Sequence, residues 1–163
     1  MVFDQVLRDK AAALLEKYRR AGLRIATAES CTGGLVAACL TEIAGSSDVV
    51  ERGFVTYSND AKMELLGVDH GLLAKHGAVS AHVARAMAAG ALARSRADAA
   101  VSVTGIAGPA GGTPGKPVGL VYFACARKGH EIIVERLQFS GDRQAIRRAS
   151  VEAALDLLDQ RLA

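Results

Sequence analysis

The sequence predicts an α/β fold: one three-layer α/β/α domain built on a mixed sheet. Three observations carry that expectation. Segments of helical spacing alternate with short apolar runs early in the chain, the pattern of strands joined by crossover helices. Two strand-like runs late in the chain flank Arg127-Lys128-Gly129-His130, a hairpin signal that adds an antiparallel pair. No internal repeat and no linker interrupts the 163 residues, so residues 1–163 read as a single domain long enough to bury a real core.

Phe3, Leu7, Leu14 and Tyr18 keep helical spacing, and Gly22 ends that first helix. Leu23 to Ala28 is an apolar strand, followed by a helix from Leu35 to Ala44 that Gly45-Ser46-Ser47 breaks. Val50 to Tyr57 reads as a second strand, and Asp60 to Leu66 as a short helix stopped by Gly67. Val79-Ser80 opens a helix running to about Arg94, with Ser80 as its cap. Ala99 to Val103 is a buried-type strand, Val118 to Ala126 and Glu131 to Phe139 form the hairpin, and Asp142 to Leu162 is the closing helix. Between the third strand and the hairpin, Gly105 to Gly119 (GIAGPAGGTPGKPVG) holds all three prolines, Pro109, Pro114 and Pro117. A structureless connection of that length suits a lid or ligand clamp, placed where α/β ligand crevices form.

Composition narrows the function classes. Half of the residues are apolar and aromatics make up 4%, so alanine-rich helices should pack closely through small side chains. The net charge of +3 is mild, and Arg19-Arg20 and Arg147-Arg148 are isolated pairs, so no nucleic-acid footprint is expected. No apolar run reaches the length of a membrane span, and no signal peptide is expected. Cys31, Cys39 and Cys125 form no CxxC pair and leave an odd count, which points to reduced thiols in a cytoplasmic protein. His70, His76, His82 and His130 have no ligand spacing with cysteines or carboxylates, so no metal or other cofactor is expected.

The chemistry concentrates in Glu29-Ser30-Cys31-Thr32-Gly33-Gly34, at a junction from strand to helix. The first amides of a helix lack internal partners and carry partial positive charge, so the junction can cradle a phosphate or hold the oxyanion of an acyl-transfer intermediate. Ser30 is either an ordinary helix cap or a nucleophile; Cys31 is a second candidate if its thiolate is stabilised. Lys62, in the first turn of its helix, is either a solvated lysine paired with Asp60 or Glu64, or a base whose pKa is lowered by the helix dipole and burial. Tyr57 is wall or core with a hydroxyl free to enter a site. Arg143 begins the last helix, where a cation is disfavoured; it is either a surface arginine bridging to Asp142 or Glu135, or the partner of a bound phosphate or carboxylate.

The chain resembles the CinA C-terminal domain family, whose members include nicotinamide mononucleotide deamidases. The matching stretches are TAESCTGG (27–34), VTYSNDAK (55–62), HGAVS (76–80), VTGIAGPAGGTPGKPVGLVY (103–122) and GDR (141–143). The resemblance spans nearly the whole chain and is to the stand-alone form, without the additional N-terminal domain of larger relatives. It implies an amidohydrolase domain that converts nicotinamide mononucleotide to nicotinic acid mononucleotide and ammonia, in recycling of pyridine nucleotides. It implies Ser30 as nucleophile, Lys62 as base, and Tyr57 and Thr104 as hydroxyl partners. Cys31, Thr32, Gly33 and Gly34 would supply the oxyanion site; Gly105, Ala107, Gly108 and Arg143 would take the substrate and its phosphate. A small-molecule pyridine nucleotide is the expected partner, and a homo-oligomer is expected by resemblance. Two other readings stand beside this one: a module that binds a phosphorylated nucleotide without chemistry, and an amidase for a different carboxamide.

Overall fold

The computed structural model describes residues 2–163. Helix α1 (Gln5–Ala21) starts at Asp4, whose side chain accepts from the Leu7 amide, and stops at Gly22 in the left-handed region. Strand β1 (Ile25–Glu29) runs into a turn and then helix α2 (Leu35–Thr41). A short 3-10 turn over Ser46–Asp48 precedes strand β2 (Val50–Val55) and helix α3 (Asn59–Leu66). Helices α4 (His70–His76) and α5 (Ala81–Ala93) lead to strand β3 (Ala99–Gly105). Strands β4 (Leu120–Arg127) and β5 (Ile133–Gln138) form the hairpin, and α6 (Arg143–Leu162) closes the chain.

The strands form one sheet in the order β2-β1-β3-β4-β5, parallel across β2-β1-β3 and antiparallel across β3-β4-β5. Alternation along each strand divides the side chains between two helical layers. Ile25, Val101, Val103, Val121, Phe123 and Cys125 pack in one core with residues of α1, α2 and α6. Ala26, Ala28 and Ala100 face a smaller core with Leu66 of α3, Leu73 of α4 and Val83 and Met87 of α5. The mixed three-layer sheet expected from sequence is the observed one.

Small residues on the second face bring α5 close to its neighbours. Ser102 Oγ donates to the Ala84 carbonyl at 2.6 Å, and Ala84 and Ala88 pack on Ala124 and Ala126. At Gly90 a Cβ would stand 2.0 Å from the Leu66 carbonyl oxygen, so α5 meets the end of α3 backbone to backbone. That contact seats α3, the helix that carries Lys62.

The parallel registers decide where a site can form. Glu29 lies opposite Val55 on one side and Val103 on the other. The residues that follow, Ser30, Thr56-Tyr57 and Thr104-Gly105, therefore gather at one carboxyl edge of the sheet.

Sequence and structure differ at three places. Helix α4 was not expected: it is short, contains Gly71, and shows no helical periodicity, and its start depends on Asp69 accepting from the Leu72 amide. Helix α2 ends at Thr41 rather than near Ala44. The Gly/Pro segment is tied down rather than loose. Ile106 and Gly119 exchange backbone hydrogen bonds with Leu120 and Ile106, Thr113 pairs with Lys116, and Lys116 Nζ donates to the His76 carbonyl at 2.5 Å.

Candidate active site

Ser30 and Lys62 meet at the carboxyl edge. Lys62 Nζ lies 2.9 Å from Ser30 Oγ and donates to the Thr56 carbonyl at 2.8 Å. Ser58 caps α3 by accepting from the Ala61 amide, which places Lys62 at the end of the first turn, pointing back under the sheet edge. The lysine is 1% exposed and forms no ion pair with a carboxylate among the described residues. The alternative of a solvated lysine bridging to Asp60 or Glu64 is thereby excluded. Burial disfavours its charged form and pushes its pKa down to about 8. The same burial pushes the Cys31 thiol up to about 11, so at neutral pH Cys31 is an unreactive thiol.

The turn after Ser30 runs directly into α2, whose Leu35 amide donates to the Thr32 carbonyl at 3.0 Å. Gly33 and Gly34 take positive φ values of 57° and 104°, and the Gly33 amide closes the turn onto the Ser30 carbonyl at 3.0 Å. The first amides of α2 are already occupied. Glu29, 1% exposed, turns its carboxylate onto the Val36 and Ala37 amides at 2.8 and 3.1 Å. The anion expected at this helix end is thus an internal one. In the turn itself the Cys31, Thr32 and Gly34 amides have no partner among the described residues.

A cleft of about 250 Å³ opens over Ser30, lined also by Cys31, Tyr57, Arg143 and the loop residues Gly105, Ile106, Ala107 and Gly108. Arg143 spans it: Nη1 donates to the Gly108 carbonyl at 2.8 Å and Nη2 to the Tyr57 hydroxyl at 3.1 Å. It pairs with neither Asp142 nor Glu135 among the described residues; Asp142 caps α6 by accepting from the Ala145 amide. Tyr57 is 62% exposed, so it is a rim residue and not core.

Of the other residues singled out from sequence, Thr104 is buried and its hydroxyl donates to the Ala78 carbonyl at 2.9 Å, which ties β3 to the segment before α5 rather than to Ser30. Thr32, Gly33 and Gly34 shape the turn but do not line the cleft, and the Thr32 hydroxyl is buried without a partner. Sequence reasoning assigned no role to Glu29, Thr56 or Arg147. Glu29 carried a signal, since a buried-type strand that ends in a carboxylate needs donors. Thr56 acts through its backbone carbonyl, which no residue pattern announces. Among the described residues no group of three or more histidines, cysteines or carboxylates could hold a metal ion, and no helix is long and apolar enough to cross a membrane.

Fold and site define an α/β domain with a serine–lysine pair at the carboxyl edge of its parallel strands. The chain belongs to the CinA C-terminal domain family, whose profile matches residues 7–162. It is 52% identical over 157 residues to nicotinamide-nucleotide amidohydrolase PncC of Escherichia coli (strain K12), covering 96% of this chain and 95% of that one. It is 56% identical over 154 residues to a CinA-like protein of Mycolicibacterium gilvum, covering 94% of this chain but 35% of that one. The chain therefore spans about a third of the length of that larger relative. The crystal structure of competence/damage inducible protein CihA from Agrobacterium tumefaciens superposes with a TM-score of 0.95 at 49% identity, over 97% of this chain and 96% of that one.

Proposed function

We propose that this protein hydrolyses the carboxamide of nicotinamide mononucleotide, giving nicotinic acid mononucleotide and ammonia through an acyl-enzyme on Ser30. The observation that carries the reading is the 2.9 Å contact between Ser30 Oγ and a buried Lys62 whose pKa is pushed down to about 8. A nucleotide-binding module has no use for such a base. The choice of substrate is supported by the near full-length likeness to the nicotinamide-nucleotide amidohydrolase of E. coli.

At pH 7 about a tenth of Lys62 is neutral, from a pKa of about 8. The neutral amine accepts the Ser30 hydroxyl proton along the existing contact while Oγ bonds to the carboxamide carbon. The oxyanion that develops is met by amides of the turn after Ser30, fixed before reaction and thus free of reorganisation. The lysine ammonium then gives its proton to the departing nitrogen as the C–N bond breaks, releasing ammonia. Water attacks the ester, its proton passing to Lys62, and the C–Oγ bond breaks as that proton returns to Ser30. The Thr56 carbonyl holds Nζ on line throughout, and Arg143, bridging Gly108 and Tyr57 at the cleft mouth, is placed to meet the anionic part of the nucleotide. The same reading places the enzyme in the cytoplasm as a homo-oligomer; its free, buried cysteines support the location, and family membership alone supports the assembly.

The test is ammonia release from nicotinamide mononucleotide, nicotinamide and NAD by the wild-type protein and by Ser30→Ala. Release from the mononucleotide alone, abolished in S30A with an unchanged circular dichroism spectrum, is the expected result. Full activity in S30A ends the nucleophile assignment, and release from nicotinamide or NAD in its place changes the substrate.

A further inference from the structure

We infer that Arg147, in the second turn of α6, is a positioning residue that fixes the amide donor beside the nucleophile; the inference rests on the serine–lysine reading above. Its Nε donates to the Cys31 carbonyl and its Nη2 to the Thr32 carbonyl, each at 3.2 Å. These are the carbonyls of the two residues that follow Ser30. In a trans peptide the C=O and the next N–H point in opposite directions. Holding the Cys31 carbonyl toward α6 therefore turns the Thr32 amide away from α6, and holding the Thr32 carbonyl does the same for the Gly33 amide. The Gly33 amide is consumed in closing the turn on the Ser30 carbonyl. The Thr32 amide, on the peptide that begins at the cleft-lining Cys31, is left with no partner among the described residues, as is the Cys31 amide next to the nucleophile.

Two further observations give Arg147 this task. The turn has few holds of its own: two consecutive glycines at positive φ confer no rigidity, the Leu35 amide reaches only the Thr32 carbonyl, Glu29 takes the Val36 and Ala37 amides, and the Cys31 carbonyl is left to Arg147 alone among the described residues. The neighbouring arginine behaves differently. Arg148 pairs with Asp4 and Glu152, whereas Arg147 meets no carboxylate among the described residues and delivers its charge to the two peptide carbonyls. A cation on the carbonyl polarises the peptide and makes the attached N–H a stronger donor. Such help grows as the oxyanion forms, so it belongs to the transition state rather than to substrate binding. Arg147 lines a neighbouring cleft under Arg143 and not the one over Ser30.

The experiment compares wild type, Arg147→Met and Arg147→Lys by steady-state kinetics on nicotinamide mononucleotide and by the rate at which a fluorophosphonate modifies Ser30, read by intact mass. The phosphonate adduct places an oxygen in the same donor site without depending on the natural substrate. R147M should lose ~10–100-fold in both kcat and labelling rate, with KM within about threefold of wild type and the pH midpoint unmoved. R147K, which keeps the charge but not the two-pronged geometry, should fall in between. If R147M lacks the wild-type near-ultraviolet circular dichroism, R147K decides alone: a loss of ~10-fold in kcat supports the role and a wild-type kcat overturns it. R147M with wild-type kcat and labelling overturns the inference, as does a rise in KM with labelling unchanged, which would make Arg147 a substrate contact. A wild-type protein that releases no ammonia from the mononucleotide while labelling still drops in R147M removes the substrate reading and leaves the positioning role standing.

Discussion

The seam between α1 and α6 and the pocket under Ser30 treat charge in opposite ways. Along the seam Lys10 meets Glu152 and Asp156, Lys17 meets Asp159, and Arg148 bridges Asp4 and Glu152, all on partly exposed side chains. Each charge there has an opposite partner, and the partners hold Lys10 above and Glu152 below their ordinary pKa values. Lys62 is instead sealed from water with only a hydroxyl and a carbonyl for company, and its pKa falls. Paired surface charge adds little and changes no chemistry. Unpaired buried charge costs stability, and the same cost favours the neutral amine.

The largest effect should come from removing that lysine. On the proposed serine–lysine mechanism, in which nucleophile and base act as one unit, Lys62→Met should lower kcat for the mononucleotide by ~10³–10⁴-fold. Steady-state assays checked against a wild-type circular dichroism spectrum measure it, and a loss below tenfold would dissolve the contrast between pocket and seam. Next is the pH dependence. Activity should climb with pH and level off above a midpoint near 8, where Lys62 becomes neutral. The sign for stability follows from the same proton: the folded state releases it near pH 8 and the unfolded chain near 10.5, so the unfolded state binds more protons in between. Wild-type stability relative to K62M should therefore rise between pH 8 and 10.5, on the order of 3 kcal/mol, in paired denaturant titrations. A midpoint below 7 would mean that the lysine is not the titrating base.

Two smaller effects sharpen the comparison. Cys31→Ala should leave kcat within about threefold of wild type, because a thiol pushed up to about 11 contributes no nucleophile at neutral pH. Loss of activity in C31A with Ser30 intact would move the chemistry to sulfur. On the seam, Asp156→Asn should change stability by under about 1 kcal/mol, vanishing at high salt, and leave kinetics untouched. A kinetic effect in D156N would show that the seam communicates with the site.

How far the sequence reached depends on what each residue answers to. The sheet, its mixed character and five of the six helices among the described residues were legible because apolar spacing, hairpin signals and caps are local. Helix α4 escaped because it lacks periodicity and leans on a cap. Ser30, Lys62, Tyr57 and Arg143 could be named as chemically unusual at their positions, and the structure brings all four to one cleft or its floor. The partner of Arg143 could not be named, because it is a loop carbonyl and a tyrosine far away in sequence. Thr104 was legible as a hydroxyl at a strand end but not as one turned to Ala78.

Sequence alone determined the alternation of strands and helices, the small-residue face that lets α5 approach, and the serine, lysine and glycines at the strand ends. These follow from side-chain size, periodicity and backbone freedom, which each residue carries with it. Only the tertiary structure decided that Lys62 is buried rather than solvated, that the Val36 and Ala37 amides belong to Glu29, and that Arg147 bonds the turn from the far end of the chain. Desolvation and hydrogen-bond partnership depend on what other segments bring close, and Ser30 meets Lys62 across 32 residues of sequence.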